Sequence, residues 1–199
     1  MTAGYCFCQR SFFERPSDVV AEDLIGALIV VRDGKHEVRA MVVETEAYGG
    51  LNDPASHAFR GSTPRSAIMF GPAGFLYVYL SYGVHWCANV VTEGEGTPNA
   101  VLLRAAQMVS VDGVFDSEDP STLRGPGKLT RGLGITGDDN TSDCCDEGHS
   151  RVSFRARSDD VHLPIGRSPR VGISRAREQL SRYFLQGCPA VSATRNLSA

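Results

Sequence analysis

Apolar and polar positions change rhythm several times along this chain, and each change marks an element. Over residues 17 to 27, SDVVAEDLIGA, the apolar Val20, Leu24 and Ala27 recur at helical spacing behind Ser17 or Asp18 as a cap, with Gly26 near the end. A short helix is predicted there. The next stretch, ALIVVRDGKHEVRAMVVETEAY, reads as two strands joined around Asp33 and Gly34, because Asp-Gly supplies the positive φ angles of a tight hairpin. Strand side chains alternate between faces, which places Val42, Glu44, Glu46 and Tyr48 on one side and Val43, Thr45 and Ala47 on the other. Two acids on one face of a strand that leaves an apolar interior are the first sign of chemistry.

Residues 49 to 66, rich in Gly, Pro, Ser and Asp, read as a long loop, of the kind that often carries function. GFLYVYLSYGVHWCANVVT then alternates as two strands meeting at a tip of Tyr82, Gly83, Val84 and His85, and NAVLLRAAQ offers another strand. Arg104 sits inside that apolar run, where a guanidinium needs a carboxylate or carbonyl partner. After an acidic stretch at 112 to 120, a short helix is expected to begin after Pro126 and stop at Gly134. Residues 137 to 150 read as an exposed acidic loop, 173 to 181 as a helix, and YFLQG as a returning strand. Without a regular βαβ rhythm, the expectation is a single compact α+β domain spanning residues 1 to 199, with loose termini at 1 to 9 and 193 to 199. Its centre is a curved, mostly antiparallel β-sheet with a protruding β-hairpin and several short helices.

Length and composition narrow the class. At 199 residues, 42% hydrophobic and 22% charged, the chain has enough apolar surface for one substantial core. No apolar run approaches the ~20 residues of a membrane helix, and the start lacks the basic and apolar regions of a secretory signal. A cytoplasmic location without membrane association is expected. Cys6, Cys8, Cys87, Cys144, Cys145 and Cys188 match neither a zinc site nor a secreted disulfide framework, so they read as structural or incidental thiols and no metal or cofactor is implied. Net charge is -3, yet residues 151 to 199 hold nine arginines against three acids while residues 1 to 150 hold eleven basic residues against twenty acids. A local basic face for phosphate and a solvated arginine-rich face are equally compatible with that asymmetry.

Glu44 and Glu46 lie two residue rises apart, roughly 6.5–7 Å in an extended strand. They admit a glycosidase-type pair, one structural and one catalytic acid, or one or both acids simply pairing with arginines at a sheet edge. Tyr77, Tyr79, Tyr82 and Trp86 lie on or near one hairpin, where β-propensity alone accounts for aromatics. Their functional reading is that flat rings sandwich a nucleobase and a residue at a hairpin tip wedges into a base stack. Tyr48, Tyr79 and His57 are then candidates for one pocket.

Taken in order, VVETEAYGGLNDPASHAFRG, STPRSAIMFGPAGFLYVYLSYGVHWCANVVT, AVLLRAA, LRGPGKLTRGLGI and PRVGI are together similar to the alkyladenine (3-methyladenine) DNA glycosylase family. The resemblance is colinear from RSFFERP at 10 to 16 through QGCPAVS at 186 to 192. It implies an enzyme of base-excision repair that flips an alkylated or deaminated purine out of double-stranded DNA and hydrolyses its N-glycosidic bond as a monomer. The substrate class implied is 3-methyladenine, 7-methylguanine, hypoxanthine and etheno-adenine. By the same resemblance Glu46 is the general base that activates water, Arg104 holds the water and the substrate backbone, and Tyr48, His57 and Tyr79 hold the base. Asn89 discriminates against the amino group of guanine, Val191 supplies a backbone contact to the water, and Tyr82, flanked by Val84 and His85, is the wedge. Glu44 is left as the structural acid. Ser66 and Val84 depart from the asparagine and methionine common at those places, which bears on DNA affinity and substrate breadth. With only Lys35 and Lys128 present, both remote in sequence from these motifs, a monofunctional hydrolase without lyase activity is expected. The alternative is a catalytically inactive damage-binding module using the same pocket.

Overall fold

The computed structural model describes residues 4–115, 123–158 and 160–192. In chain order the elements are β1 (Tyr5–Phe7), α1 (Arg10–Phe13), α2 (Ser17–Asp23), β2 (Leu28–Asp33), β3 (His36–Tyr48), β4 (Leu76–Ser81), β5 (His85–Thr92), β6 (Asn99–Val111), β7 (Val114–Phe115), α3 (Pro126–Gly132), β8 (Val152–Arg157), β9 (Ile165–Ser168) and β10 (Arg182–Leu185). The strands form one antiparallel sheet with the path β1-β8-β2-β3-β6-β5-β4, and β7, β9 and β10 attach beside it. This is the expected α+β domain. The two long strands β3 and β6 pair over most of their length and form its spine.

β3 changes partners along its course. Its first half lies between β2 and β6, and its second half, from Glu44 to Glu46, lies between β10 and β6. The strand is therefore flanked on both sides where it carries its acids. The register with β6 also slips there: Val42 faces Ala106, Glu44 faces Ala105 and Thr45 faces Leu103, so Val43 and then Arg104 are bulged. A bulge re-aims the side chains that follow it. Val42 consequently packs in the main core while Val43 joins Ala105 and Ala190 on the opposite face. The simple alternation that put Val42 beside Glu44 is thus corrected; Val42 shares its face with Ala47.

The main core packs Phe13, Val20, Leu24 and Ile25 against Ile29, Val42, Leu76, Val90, Leu103 and Phe154. Each such fully buried side chain contributes about 1.5–3 kcal/mol of hydrophobic free energy. α2 sits on this face and starts at Ser17, whose N–H donates to Glu93 Oε1 at 3.3 Å in place of a side-chain cap of its own. Two smaller clusters cover the other face. One holds Ala58, Met69, Tyr77, Val91 and Ala100; the other holds Val43, Ala105 and Ala190.

Several expectations are corrected. Residues 137 to 150 are not simply an exposed loop: Asp139 and Cys144 are buried, Val78 N donates to Asn140 Oδ1 at 2.9 Å, and Leu76 N donates to Ser142 O at 2.9 Å. The segment supplies hydrogen-bond partners that β4, at the end of the sheet path, would otherwise leave unmade. No helix forms over 173 to 181. Val171 N is tied to Glu46 Oε1 and Ala47 N to Ser181 O, so both ends of the segment are held at neighbouring residues of β3, and Ala176 takes a φ of 49°. A nine-residue helix would separate those ends by roughly 13 Å. The N-terminus is ordered from Tyr5, which pairs with Arg157 in β8. The acidic stretch from 116 and the C-terminal residues from 193 lie outside the described residues.

Candidate active site

The second face of the sheet carries a polar floor between its two apolar clusters. Glu44, Glu46 and Tyr48 on β3, Asn89 on β5, and Leu102 and Arg104 on β6 lie there; the bulges turn the β3 residues and Arg104 to this face, and Asn89 and Leu102 face each other in regular register beside them. A cleft of about 580 Å³ opens above the floor, walled by Tyr48, His57, Arg65, Tyr77, Tyr79 and Val171. Tyr82 stands at its edge.

The two acids have different surroundings. Glu44 Oε1 accepts from Arg104 Nε at 2.8 Å, Arg182 Nε at 2.7 Å and Ser192 Oγ at 2.7 Å, and its Oε2 accepts from Ser192 N at 2.7 Å. Burial alone would raise this carboxyl, but the two guanidinium groups and the Ser192 donors outweigh it and hold Glu44 below the usual carboxylate range. Glu46 Oε1 accepts from Val171 N at 2.6 Å and lies 3.3 Å from Arg104 Nη1, while its Oε2 accepts from the Tyr48 hydroxyl at 2.9 Å. Here burial wins. Despite Arg104, the Val171 amide and the Tyr48 hydroxyl, Glu46 stands above the usual carboxylate range. A carboxylate oxygen accepts about two hydrogen bonds, so Oε1 is filled and Oε2 keeps one direction open.

The walls are aromatic. Tyr77 and Tyr79 point to the cleft while Leu76 and Val78 face the core, and His57 Nδ1 lies 2.8 Å from the Tyr77 hydroxyl. The His57 ring meets Tyr79 edge-on at 4.7 Å between centroids. Desolvation and the Arg65 charge lower the His57 imidazolium, which favours the neutral ring. Asn89 Nδ2 donates to Tyr77 O at 3.0 Å, which fixes the amide in the wall. Across from these, the Arg170 guanidinium lies 4.6 Å from the Tyr48 ring centroid; Arg170 is held by both Asp53 oxygens, by Ala47 O at 2.9 Å and by Gln179 Oε1 at 3.0 Å. Burial and the adjacent Glu46 carboxylate push the Tyr48 phenol far up, so it stays a donor.

The hairpin between β4 and β5 ends in a turn closed by Val84 N donating to Ser81 O at 3.0 Å, with positive φ at Tyr82 (51°) and Gly83 (69°). Such a turn favours Asn-Gly. A bulky aromatic there is strained, and Tyr82 is 93% exposed, so nothing in the free chain compensates it. The root of the hairpin is firm: Thr130 Oγ1 donates to Trp86 O at 2.9 Å, and a Cβ on Gly127 would stand 2.8 Å from His85 Cβ.

Of the residues singled out from sequence, Arg104, Tyr48, His57, Tyr79 and Asn89 line the cleft, with Glu46 directly behind Tyr48 and Val171. Val84 and His85 are exposed at the tip beside Tyr82 and do not line the cleft. Val191 is not brought in. Its carbonyl accepts from Arg124 Nε at 2.8 Å, and it packs against Val43, Ala105 and Ala190. The backbone that reaches Glu46 is that of Val171, in the PRVGI segment, whose N–H donates to Oε1 at 2.6 Å. Arg170 and Asp53 were not singled out either, although an arginine beside a proline in a quoted motif was the available signal. Five C-terminal arginines are taken up by carboxylates: Arg151 pairs with Asp139, Arg155 with Glu147, Arg167 with Glu22, Arg170 with Asp53 and Arg182 with Glu44. Arg175 and Arg177 are exposed and pair with no carboxylate among the described residues, and Arg175 lines the cleft. Among the described residues no group of three or more His, Cys, Asp or Glu is placed to hold a metal ion, and no helix is long and apolar enough to cross a membrane.

Residues 11–189 match the family described as methylpurine-DNA glycosylase (MPG). The chain belongs to this family. A protein of Frankia casuarinae named "Putative 3-methyladenine DNA glycosylase" is 44% identical over 198 residues, covering 92% of this chain and 91% of its own. Proteins of the same name from Rhodopseudomonas palustris and Chlorobaculum tepidum are 43% and 39% identical, each covering 92% of this chain and 88% and 89% of their own length. As a member of the methylpurine-DNA glycosylases, the chain is a DNA glycosylase of base-excision repair. The cleft, with one desolvated carboxylate behind aromatic walls and an exposed tyrosine at its edge, is the part of the fold that fits such an activity.

Proposed function

We propose that this glycosylase flips a damaged purine nucleotide out of duplex DNA into the aromatic cleft and hydrolyses its N-glycosidic bond with Glu46 as general base. The observation that carries the reading is the setting of Glu46, buried behind the cleft with one carboxylate direction open and fixed by Val171 N and the Tyr48 hydroxyl. Tyr82, strained and exposed, fills the gap left in the base stack. The flipped base enters between Tyr48 on one side and His57 with Tyr79 on the other. The fixed Asn89 amide disfavours the exocyclic amino group of normal guanine.

Chemistry then follows from charge. As the bond from C1′ to the base nitrogen breaks, its electron pair leaves with the base and positive charge develops on the sugar. The Glu46 carboxylate stabilises that charge and takes a proton from the water whose oxygen bonds to C1′. Arg104, bonded to Glu44 through Nε and paired with Glu46 through Nη1, fixes the spacing of the two acids. Glu44 is the positioning acid. The product is a free base and an abasic strand. Neither Lys35 nor Lys128 lines the cleft, which supports hydrolysis without a Schiff base. The substrate class is 3-methyladenine, 7-methylguanine, hypoxanthine and etheno-adenine, and the enzyme acts as a monomer.

The test is incubation with a hypoxanthine-containing duplex, followed by separate measurement of free base, strand cleavage and borohydride trapping. Free hypoxanthine, an intact strand that breaks only in alkali, and no trapped adduct are expected. A trapped protein–DNA adduct would overturn the monofunctional assignment. Tight damage-selective binding without release of any base of this class would make the chain a binding module instead.

A further inference from the structure

Both tyrosines proposed to hold the base carry a guanidinium over the ring, and the two cations differ in how their charge is balanced. Arg170, over Tyr48, has a fully buried side chain and is gripped by both oxygens of Asp53. Arg65, whose guanidinium carbon lies 4.6 Å from the Tyr79 ring centroid, is exposed and itself lines the cleft. Among the described residues no carboxylate pairs with Arg65. Its positive charge therefore reaches the cleft without a carboxylate partner, the Tyr77 hydroxyl lying in hydrogen-bond contact with it.

The backbone that presents Arg65 is well held. Thr63 N donates to Ser66 Oγ at 3.1 Å, Ser66 N donates to Thr63 Oγ1 at 3.2 Å, and the two hydroxyls lie 2.9 Å apart. Pro64 fixes φ between them. Ser66 is buried and joins this turn to the Ala67–Phe70 segment, so Arg65 leaves a rigid corner and reaches across the Tyr79 ring.

An aromatic face attracts a cation, and Arg65 already supplies one to Tyr79. A neutral purine stacking in the cleft meets no electrostatic penalty from that guanidinium. A cationic N-alkylpurine competes for the same ring and meets a like charge at close range, in a site that water only partly screens. We propose that Arg65 is a specificity-determining residue, biasing the cleft toward neutral damaged purines and against cationic alkylated ones. The inference rests on the base-binding reading of the cleft given above. Within that reading it assigns the charge preference to one side chain on the loop after His57.

The test compares single-turnover release of hypoxanthine, a neutral base, and 7-methylguanine, a cationic one, from otherwise identical duplexes. Wild type, Arg65→Gln and Arg65→Lys are assayed together. Arg65→Gln is expected to raise the rate ratio of 7-methylguanine to hypoxanthine about tenfold, the scale of two partly screened like charges a base's width apart. Arg65→Lys keeps the charge and is expected to keep the wild-type ratio. Equal slowing of both bases in Arg65→Gln would mark a phosphate contact and overturn the proposal, as would an unchanged ratio or a lysine variant that behaves like the glutamine one. Failure of the wild type to release either base is a different result: it removes the base-binding reading on which the proposal stands.

Discussion

Exchanging either acid of the β3 pair for its amide should separate folding from chemistry. At Glu44 every partner arrives as a donor: Arg104 Nε, Arg182 Nε and the Ser192 hydroxyl on one oxygen, and the Ser192 backbone N–H on the other. A glutamine placed there must turn its own NH2 toward either the arginines or the Ser192 amide, and neither a guanidinium nor that N–H can accept. Glu44 is fully buried, and Arg104 and Arg182 are nearly so. Breaking a buried pair of this kind costs about 3–5 kcal/mol. For a chain of this length that corresponds to a fall in Tm of roughly 6–20 °C. Glu46 differs in one partner, since the Tyr48 oxygen that donates to Oε2 can also accept. Glutamine there can keep its carbonyl on Val171 N and Arg104 and donate its NH2 to Tyr48, while the desolvation that raises the carboxyl is relieved. Glu46→Gln should thus unfold within a few degrees of wild type or above it, yet lose base release. Thermal unfolding at neutral pH and single-turnover release on both variants, the latter well below the Glu44→Gln midpoint, make the comparison. Equal destabilisation of the two, or equal loss of rate with both folded, would refute the division of labour.

Three further outcomes follow from the same contacts. The Glu46 carboxyl is raised in the folded chain, so the stability gained from its protonated form is present below the ordinary carboxylate range and is lost as pH rises through the raised value. The release rate, which needs the ionised base, should climb over that same interval, and a rate that falls there would count against Glu46; Glu44, held low, contributes the opposite slope and its stability disappears as pH falls through its folded value. Tyr82→Asn should keep or raise stability by up to ~1 kcal/mol, because asparagine tolerates the positive φ at that turn, while slowing release from a matched duplex; thermal unfolding and a duplex-versus-mismatch comparison check it, and an unaffected release rate would dismiss the wedge. Asp53→Asn should leave Arg170 buried with a weakened partner, cost on the order of 3 kcal/mol, and loosen the Tyr48 platform so that affinity for damaged duplex falls, read by denaturant unfolding and binding titration.

Much of this architecture is written locally. Gly34 and Gly83 mark two hairpins because their turns demand positive φ there, and the helix from Pro126 has its start and stop within its own residues. Tyr48, His57, Tyr79, Asn89 and Arg104 are recognisable because their motifs are long and ordered. The rest depends on partners distant in sequence. The bulges at Val43 and Arg104, which turn Glu44 and Glu46 off the core face, exist only in the pairing of β3 with β6 and leave no trace in the alternation of either strand. The segment from 173 to 181 has helical spacing, but Glu46 and Ala47 hold both of its ends. Five arginines of the C-terminal quarter have carboxylate partners on β3, α2 and the loops that no local pattern marks, so the charge asymmetry overstates the free positive charge there. Val191 and Val171 have equally bland neighbourhoods in sequence; only the fold shows which one reaches Glu46.

The central claim, that Glu46 activates water for a base flipped into the cleft, is tested most directly by single-turnover release of hypoxanthine and 3-methyladenine from duplex DNA. Wild type and Glu46→Gln are compared at neutral pH, with binding to the same duplexes measured in parallel. Release of both bases by wild type, and a loss of at least about a hundredfold in the variant with binding retained, is the expected result. A folded, DNA-binding Glu46→Gln protein that releases either base at the wild-type rate would contradict it.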